Sequence, residues 1–246
     1  MMKVEMHCHT DGSTCADYTI QGVVADYKRA GYGAIVVTNH YAYKEYVRQG
    51  SSTPIEYAKR FLSWIEDAQN AGKEQNLKIF FGMEVRLKYN NTEYMLYGFE
   101  KKFVLENPEL YNLTQEQLFD LANQNDIFMY QTHPFRVGVV AGDPRFMHGA
   151  ECFNGHYHHF NNNKLAKEFC ENNKLVKVVG TDFHHDDQPI TTAILVPDEI
   201  NDSIELTKYI RENKFNTLED KETYLARVIA YKKAKGIVFD RIDLKE

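Results

Sequence analysis

The chain has 246 residues, with 29 lysines and arginines against 35 aspartates and glutamates, and a formal net charge of −6. Apolar residues make up 43% and charged residues 26%, a balance that excludes general disorder and is typical of a folded globular protein. The acidic balance argues against a protein that coats polynucleotides, because such binding needs clustered lysine and arginine.

A short apolar run of β type, followed by a helical pattern, recurs along the chain. The β-type runs are Lys3–His9, Ala34–Asn39, Lys78–Val85, Glu93–Phe99, Ile127–Thr132, Ala150–Phe153, Leu175–Gly180 and Thr192–Val196. Most of them are nearly continuous in valine, isoleucine, phenylalanine and tyrosine, which predicts strands that are covered on both faces.

Helix start signals lie between these strands. Thr53-Pro54-Ile55-Glu56 combines a capping box with proline at the first helical position, and Thr114-Gln115-Glu116-Gln117 is a second capping box. Helices are predicted over residues 20–30, 53–76, 114–125, 162–172, 203–212 and 221–235. The alternation predicts a mostly parallel α/β sheet, open or closed into a barrel. We expect residues 1–246 to form a single domain, with 200–246 as a helical packing extension.

Four of the apolar runs end in histidine. The histidines concerned are His7 and His9, His40, His133, and His184. The carboxyl ends of the strands of a barrel or open α/β sheet converge on one rim, where active sites form. His7 and His9 are two residues apart and therefore share a strand face, with Cys8 pointing the other way. Asp182 and His184 have the same spacing, and Pro134 predicts an extended backbone at His133.

Three acidic residues can join these histidines, namely Asp17, Glu84 and Asp182. Imidazole and carboxylate together suit zinc, manganese or iron, whereas burying them unpaired would cost several kcal/mol. The predicted metal ligands are His7, His9, Asp17, His40, Glu84, His133, Asp182 and His184. A single catalytic zinc uses about three protein ligands plus water, so this set predicts two or three divalent ions. Their charge exceeds that of three carboxylates, and the rim should attract a phosphate ester.

The motifs that carry these residues are His7-Cys8-His9-Thr10, Thr38-Asn39-His40, Gly82-Met83-Glu84, Thr132-His133-Pro134 and Gly180-Thr181-Asp182-Phe183-His184. In this order they resemble the polymerase-and-histidinol-phosphatase (PHP) family over about residues 3–190, and Glu151-Cys152-Phe153-Asn154-Gly155 resembles a further family segment. The resemblance implies a distorted (β/α)7 barrel. It also implies two or three metal ions at the C-terminal rim, usually engaged in hydrolysis of phosphate esters.

The resemblance further implies how the ligands are shared among the ions. One ion would be held by His7, His9, Glu84 and Asp182, a second by His40 and His184 with a residue near 15–17, and a third by Glu84 and His133. Glu84 would be common to the first and third ions.

Three features depart from the family pattern. Members often have histidine or aspartate where Cys15 stands here. We favour Asp17 as the ligand, because the Cys-Ala-Asp string is similar to a family variant, and Cys15 is the alternative. The usual Thr-Asp-His motif contains Asn39, which removes a charge and keeps the ligand. Some members place a ninth ligand, a histidine, near the fourth strand. The corresponding residues here, Glu93–Gly98, include no histidine, so the third ion would use Glu93 or water, or bind only with substrate.

These features predict hydrolysis of a phosphate ester by a metal-activated hydroxide. Binding to the metal lowers the pKa of water from about 15.7 to near 7, which supplies the nucleophile. The expected substrate is a small phosphomonoester such as histidinol phosphate. We expect His9, Asp182 and His184 to be essential for catalysis, and Arg136 to grip the phosphate, with Arg145 as a second candidate.

Several alternatives remain open at this stage. The chain could be a nucleotide or oligonucleotide phosphodiesterase, a phosphotyrosine phosphatase, an amidohydrolase, or a non-catalytic metal-binding module like the degenerate PHP domains of polymerases. The cluster His156-Tyr157-His158-His159 and the nearby His148 are interpreted as solvated residues or as part of a substrate entrance.

The cellular setting is predicted from what the sequence lacks. No apolar run approaches the roughly 20 residues of a membrane span, and the first residues lack the apolar core of a signal peptide. Four cysteines in 246 residues are too few for a disulfide scaffold. We therefore expect a cytoplasmic protein without a membrane or nucleic-acid partner; its oligomeric state is left open.

Overall fold

The computed structural model describes residues 1–90 and 92–237. The last part of the predicted packing extension, residues 238–246, lies outside the described residues. The strands are β1 (Met2–Cys8), β2 (Ala34–Val37), β3 (His40–Ala42), β4 (Lys78–Arg86), β5 (Glu93–Tyr97), β6 (Phe128–Gln131), β7 (Gly149–Asn154), β8 (Val176–Gly180), β9 (Thr192–Val196) and β10 (Asn216–Glu219).

The α-helices lie between these strands and after the last one. They are α1 (Ile20–Arg29), α2 (Tyr43–Arg48), α3 (Pro54–Gln75), α4 (Lys101–Glu106), α5 (Gln115–Gln124), α6 (Asn163–Asn173), α7 (Ser203–Arg211) and α8 (Lys221–Ala234). Two 3₁₀ turns, Leu110–Asn112 and Pro144–Phe146, complete the described elements. None of the described helices combines the length and apolar character that a membrane span requires.

Seven strands form the staves of a nearly closed barrel. The hydrogen-bonded order is β10-β9-β1-β2-β4-β5-β6-β7-β8, with β3 paired to the outer end of β4. The ring closes between β8 and β1, where the chain after β8 pairs with β1: Phe183 bridges to Cys8, and the His9 N–H donates to the Phe183 carbonyl at 2.9 Å. The predicted α/β class and the distorted seven-stave barrel are confirmed.

One stave runs against the others. β5 pairs antiparallel with both β4 and β6, whereas β1–β2, β2–β4, β6–β7 and β7–β8 are parallel. β9 adds an antiparallel strand outside β1, and β10 pairs antiparallel with β9. The sheet is therefore mixed, although parallel pairs make up most of the ring.

The helices begin where the cap signals predicted. The Thr53 hydroxyl accepts from the Glu56 N–H at the start of α3, and Pro54 occupies the first turn. At the start of α5, Thr114 and Gln117 form both hydrogen bonds of a capping box. The six predicted helices are present with bounds that differ by one or two residues, while α2, α4, β3 and β10 were missed.

Two apolar cores hold the barrel together. The larger core fills the interior and the face under α3 and α5, and it includes Met6, Tyr97 and Tyr130. The smaller core packs α1 and α3 against the outside of β1 and β2, and Cys8 lies in it beside Phe183. Cys8 therefore points away from the barrel interior, as its position between two histidines predicts.

Candidate metal centre

Glu84 lies at the centre of a group of imidazoles on the carboxyl-terminal rim. Its carboxylate oxygens approach ring nitrogens of four histidines from three other parts of the chain: His7 at 3.4 Å, His9 at 3.3 Å, His40 at 2.8 Å and His133 at 3.5 Å. Glu84, His7 and His9 are fully buried. β1, β3, β4 and the end of β6 thus deliver five predicted ligands to one point.

Asp182 forms the second acidic contact of the group. Its Oδ1 lies 3.2 Å from Nε2 of His7, 3.4 Å from Nε2 of His9 and 3.4 Å from Nδ1 of His184. Its Oδ2 accepts a hydrogen bond of 2.5 Å from Arg136. The structure therefore brings together seven of the eight predicted ligands, with Arg136 beside them.

Asp17 is the predicted ligand that the structure does not bring to this group. Its exposed carboxylate accepts a 2.8 Å hydrogen bond from Nδ1 of His185. Cys15 lies instead with His9, His40 and His184, whose ligand atoms are all within 4.8 Å of one another. Cys15 is exposed to solvent, but its thiol faces these histidines, whereas the carboxylate of Asp17 faces His185. The geometry thus favours Cys15, the alternative, over Asp17.

Glu93 lies in the region where some family members have a ninth ligand, a histidine. Its carboxylate lies 3.3 Å from Nε2 of His133 and 3.6 Å from Nδ1 of His40, and it forms a possible ligand group with His40 and Glu84. Arg86, directly opposite on β4, contacts Glu93 at 2.6 Å. Glu93, one of the options for the third ion, is therefore positioned for it, and it shares its charge with a guanidinium.

The histidines and carboxylates fit a divalent metal ion better than they fit each other. Both oxygens of Glu84, Nδ1 of His9 and Nδ1 of His133 are buried without a hydrogen-bond partner. Unsatisfied buried polar atoms are costly and rare in folded proteins. The contacts of Glu84 with four imidazoles lack hydrogen-bond geometry. A buried carboxylate surrounded by imidazoles in this way is an arrangement that suits a divalent metal ion.

Charge in this buried group is strongly coupled. Burial alone would lower the pKa of His7, but Asp182, Glu84 and Glu151 raise it well above its usual value. Burial would raise the pKa of Glu84, but His7 and His40 hold it well below its usual value. The lowered pKa of Glu84 favours the ionised form that binds metal, whereas His7 must give up its proton to become a ligand.

Glu151 is a functional residue that the sequence analysis did not single out as part of the site. Its buried carboxylate contacts Nδ1 of His7 at 3.0 Å and accepts 2.8 Å bonds from the His133 N–H and from Nδ2 of Asn154. Asn154 donates in turn to Asp182 at 3.2 Å. Glu151 therefore orients two predicted ligands directly, in the way that outer carboxylates orient metal-bound histidines.

Two predicted ligands have strained backbones. The φ angle is +30° at His133 and +53° at Asp182, a region that residues other than glycine seldom adopt. The prediction that Pro134 keeps His133 extended is wrong, because the His133 N–H turns toward Glu151 and its carbonyl accepts from the Arg136 N–H. Strain of this kind is held by surrounding contacts and concentrates at functional sites.

A cavity of about 260 Å³ opens onto the group. Its lining includes six basic residues from outside the predicted ligand set, namely Arg86, Arg136, His156, His158, His159 and His185. His156 is buried and its ring lies 4.9 Å from that of His184, whereas His158 is half-buried and His159 is exposed. The cluster lines the cavity, and His159 matches the interpretation as a solvated residue. His148 lies elsewhere, against Phe119 and Phe128, and Arg145 is an exposed partner of Asp143.

Comparison with known proteins agrees with this architecture. The PHP domain family model matches residues 5–173. Among solved structures, PsfC from Pseudomonas syringae is 17% identical with a TM-score of 0.68, covering 95% of this chain and 98% of that one. A two-domain protein from Bacteroides vulgatus containing a predicted PHP-like metal-dependent phosphoesterase is 16% identical with a TM-score of 0.64, covering 94% and 69%. The lesion-specific endonuclease EndoQ from Pyrococcus furiosus is 13% identical with a TM-score of 0.58, covering 86% and 56%.

The structure is a PHP-type barrel with a rim of histidines and carboxylates suited to divalent metal ions. The chain belongs to the PHP domain family, because the family model covers more than half of it. The predicted family is confirmed, and so is the fold of a PHP-type metal-dependent phosphoesterase. A comparison with curated proteins finds no match.

Proposed function

We propose that this protein hydrolyses a small phosphomonoester, such as histidinol phosphate, with the help of two or three divalent ions. The observation that carries the proposal is Glu84, a buried carboxylate without hydrogen-bond donors at the meeting point of four imidazoles. Divalent zinc, manganese or iron bound there would supply a water activated near neutral pH and neutralise phosphoryl oxygens.

The side chains divide into three groups that suit three ions. One comprises His7, His9 and Glu84, a second His40, Glu84 and Glu93, and a third His9, Cys15, His40 and His184. Asp182 contacts the first and third groups through His7 and His184. Family membership supports metal binding, and the sharing of Glu84 between groups supports more than one ion.

Arg136 is suited to hold both the site and the substrate. Its guanidinium donates to Asp182 at 2.5 Å and to Asn154 and Asn161 at 2.9 Å, which fixes its plane against the cavity wall. A guanidinium held in this way can meet a phosphate without a large loss of side-chain entropy. We assign it the positioning of Asp182 and a contact with the phosphate.

The cavity favours a small substrate. At about 260 Å³ it is slightly smaller than typical ligand pockets of about 300–1,000 Å³, which leaves room for a phosphate and a short organic group. The net charge of −6 disfavours a polynucleotide beyond the site itself. We therefore place a small phosphomonoester ahead of a nucleic acid, and we keep the cytoplasm as the predicted compartment.

The test compares a substrate panel before and after chelation of metal. Histidinol phosphate, phosphotyrosine, mononucleotides, a short oligonucleotide and an N-acyl amide are offered to protein reloaded with manganese, zinc or iron. We expect hydrolysis of phosphomonoesters that is lost with a chelator and restored by metal. Preferential cleavage of the oligonucleotide or of the amide would overturn the proposed substrate class. Activity that persists unchanged after chelation would overturn the metal requirement.

Two variants connect the activity with the site. Asp182→Asn and His9→Ala should lower phosphatase activity by several orders of magnitude and lower the number of bound ions. Asp143→Asn is the matched control, because Asp143 also pairs with an arginine at 2.5 Å but lies outside the site. If the wild-type protein binds metal but hydrolyses none of these substrates, it is instead a non-catalytic metal-binding module.

A further inference from the structure

Three histidines outside the predicted ligand set lie together at the mouth of the cavity. Ligand atoms of His156, His158 and His185 are all within 4.8 Å of one another. The ring of His158 lies 5.0 Å from that of His156 and 5.1 Å from that of His185. His156 and His158 come from the loop after β7, and His185 follows the end of β8, so the barrel itself brings them together.

The imidazole of His185 is held as a metal ligand is held. Its Nδ1 donates to the carboxylate of Asp17 at 2.8 Å, which leaves the other ring nitrogen with its lone pair. A carboxylate that accepts from one nitrogen while the other binds metal is the usual outer partner of a zinc-bound histidine. Asp17 thereby has a place next to a metal site, although not in the cluster for which it was predicted.

The other two rings are fixed as well. Nδ1 of His156 accepts a 3.2 Å bond from the His158 N–H, which fixes the ring; this long bond must give way if the same nitrogen is to bind an ion. The ring of His158 stacks on Tyr231 of α8 at 4.1 Å, and Lys232 holds the His158 carbonyl at 2.7 Å. Because backbone and packing position all three rings, little side-chain entropy would be lost on binding an ion.

We propose that His156, His158 and His185 form an additional site for a transition-metal ion of the zinc type, with Asp17 orienting His185. Three imidazoles select zinc, copper, nickel or cobalt over magnesium and calcium. For tetrahedral zinc the ligand atoms must close to about 3.3 Å from one another, since each Zn–N bond is about 2.0–2.1 Å long. This site shares no ligand with the Glu84 group and does not depend on the proposed phosphatase activity.

The test counts bound zinc in the full-length protein. Wild type, His158→Phe and Asp17→Asn are dialysed against buffered zinc, and bound metal is measured by elemental analysis. His158→Phe keeps the stacking on Tyr231 while it removes both ring nitrogens, which separates loss of a ligand from loss of the fold. We expect His158→Phe to bind one zinc fewer than wild type, and Asp17→Asn to bind that zinc about 10–100-fold more weakly.

The control is His148→Gln, which removes a histidine far from the cavity and should bind as much zinc as wild type. Equal zinc content in wild type and His158→Phe, with both proteins folded by circular dichroism, would overturn the proposal. Zinc that Asp182→Asn loses and His158→Phe retains belongs to the Glu84 cluster, and equal zinc content in wild type and Asp182→Asn would overturn that cluster alone. The two sites are thus tested independently.

Discussion

Replacement of Glu151 by glutamine tests whether the metal centre depends on the carboxylate behind it. Glu151 accepts from the His133 N–H and Asn154 and contacts Nδ1 of His7, so its two oxygens face three donors. Glutamine offers one oxygen and turns an NH2 group toward at least one of these donors. The change keeps the volume and removes the charge.

The expected size of the effect follows from this count. Loss of one hydrogen bond to a charged group costs about 1.5–3 kcal/mol. In a protein of this size each kcal/mol lowers Tm by about 2–4 °C, so the metal-free Glu151→Gln protein should melt roughly 3–12 °C below wild type. Because the ring of His7 loses its outer partner and the backbone N–H of His133 loses its acceptor, affinity for metal should fall about 10–100-fold.

Two measurements check this prediction. Thermal unfolding of the metal-free proteins gives the change in Tm, and competition with a chromophoric chelator gives the affinity for zinc or manganese. Glu66→Gln is the control: Glu66 pairs with Lys101 at 2.6 Å on the surface, where such pairs contribute about 0–1 kcal/mol. If Glu151→Gln binds metal as tightly as wild type, Glu151 does not orient the ligands.

Three further predictions concern the scaffold. Burial lowers the pKa of His148 to about 4, so the unfolded chain binds a proton at this imidazole more tightly than the folded protein does. The free energy of unfolding should therefore fall as pH drops from about 6.5 to 4, by about 2 kcal/mol more in wild type than in His148→Gln. Urea unfolding at both pH values measures this difference. Gly98→Ala should lower the free energy of unfolding by about 1–3 kcal/mol, because φ is +86° and a Cβ would meet the Thr207 hydroxyl at 2.8 Å. Gly31→Ala, at φ +78° with open space around the position, should lower it less in the same urea assay. Thr114→Ala should lose about 1 kcal/mol with the capping box of α5, and an unchanged Tm would contradict that role.

Most of the barrel could be predicted because its strands are apolar and its helices have caps. The missed strands lack these signals: β3 has only three residues, and β10 is a largely exposed edge strand of mixed polarity. The antiparallel direction of β5 had a signal that was not used. Only six residues, 87–92, connect β4 with β5, and parallel neighbours need a crossover of a dozen or more.

The ligands could be predicted because strand ends meet on one rim wherever the loops go. The choice between Cys15 and Asp17 could not, since it depends on a turn in the loop after β1. There, the thiol of Cys15 faces the histidines of the cluster and the carboxylate of Asp17 faces His185. Such a turn involves no periodicity, and two residues of similar ligand chemistry on either side of it give the same sequence signal.

Residues behind the ligands needed a different kind of argument. Glu5 and Glu151 each stand inside an apolar strand, where a carboxylate is costly unless several donors satisfy it. Both are met in this way: Glu5 accepts from the Thr181 hydroxyl and from the His7 N–H, and Glu151 holds His7 from the other side. An acid in the middle of a buried strand therefore marks the support of the site, as a histidine at the strand end marks the site itself. The sequence does not show which residue Glu151 supports, because His7 lies 144 positions away and meets Glu151 only when the barrel closes.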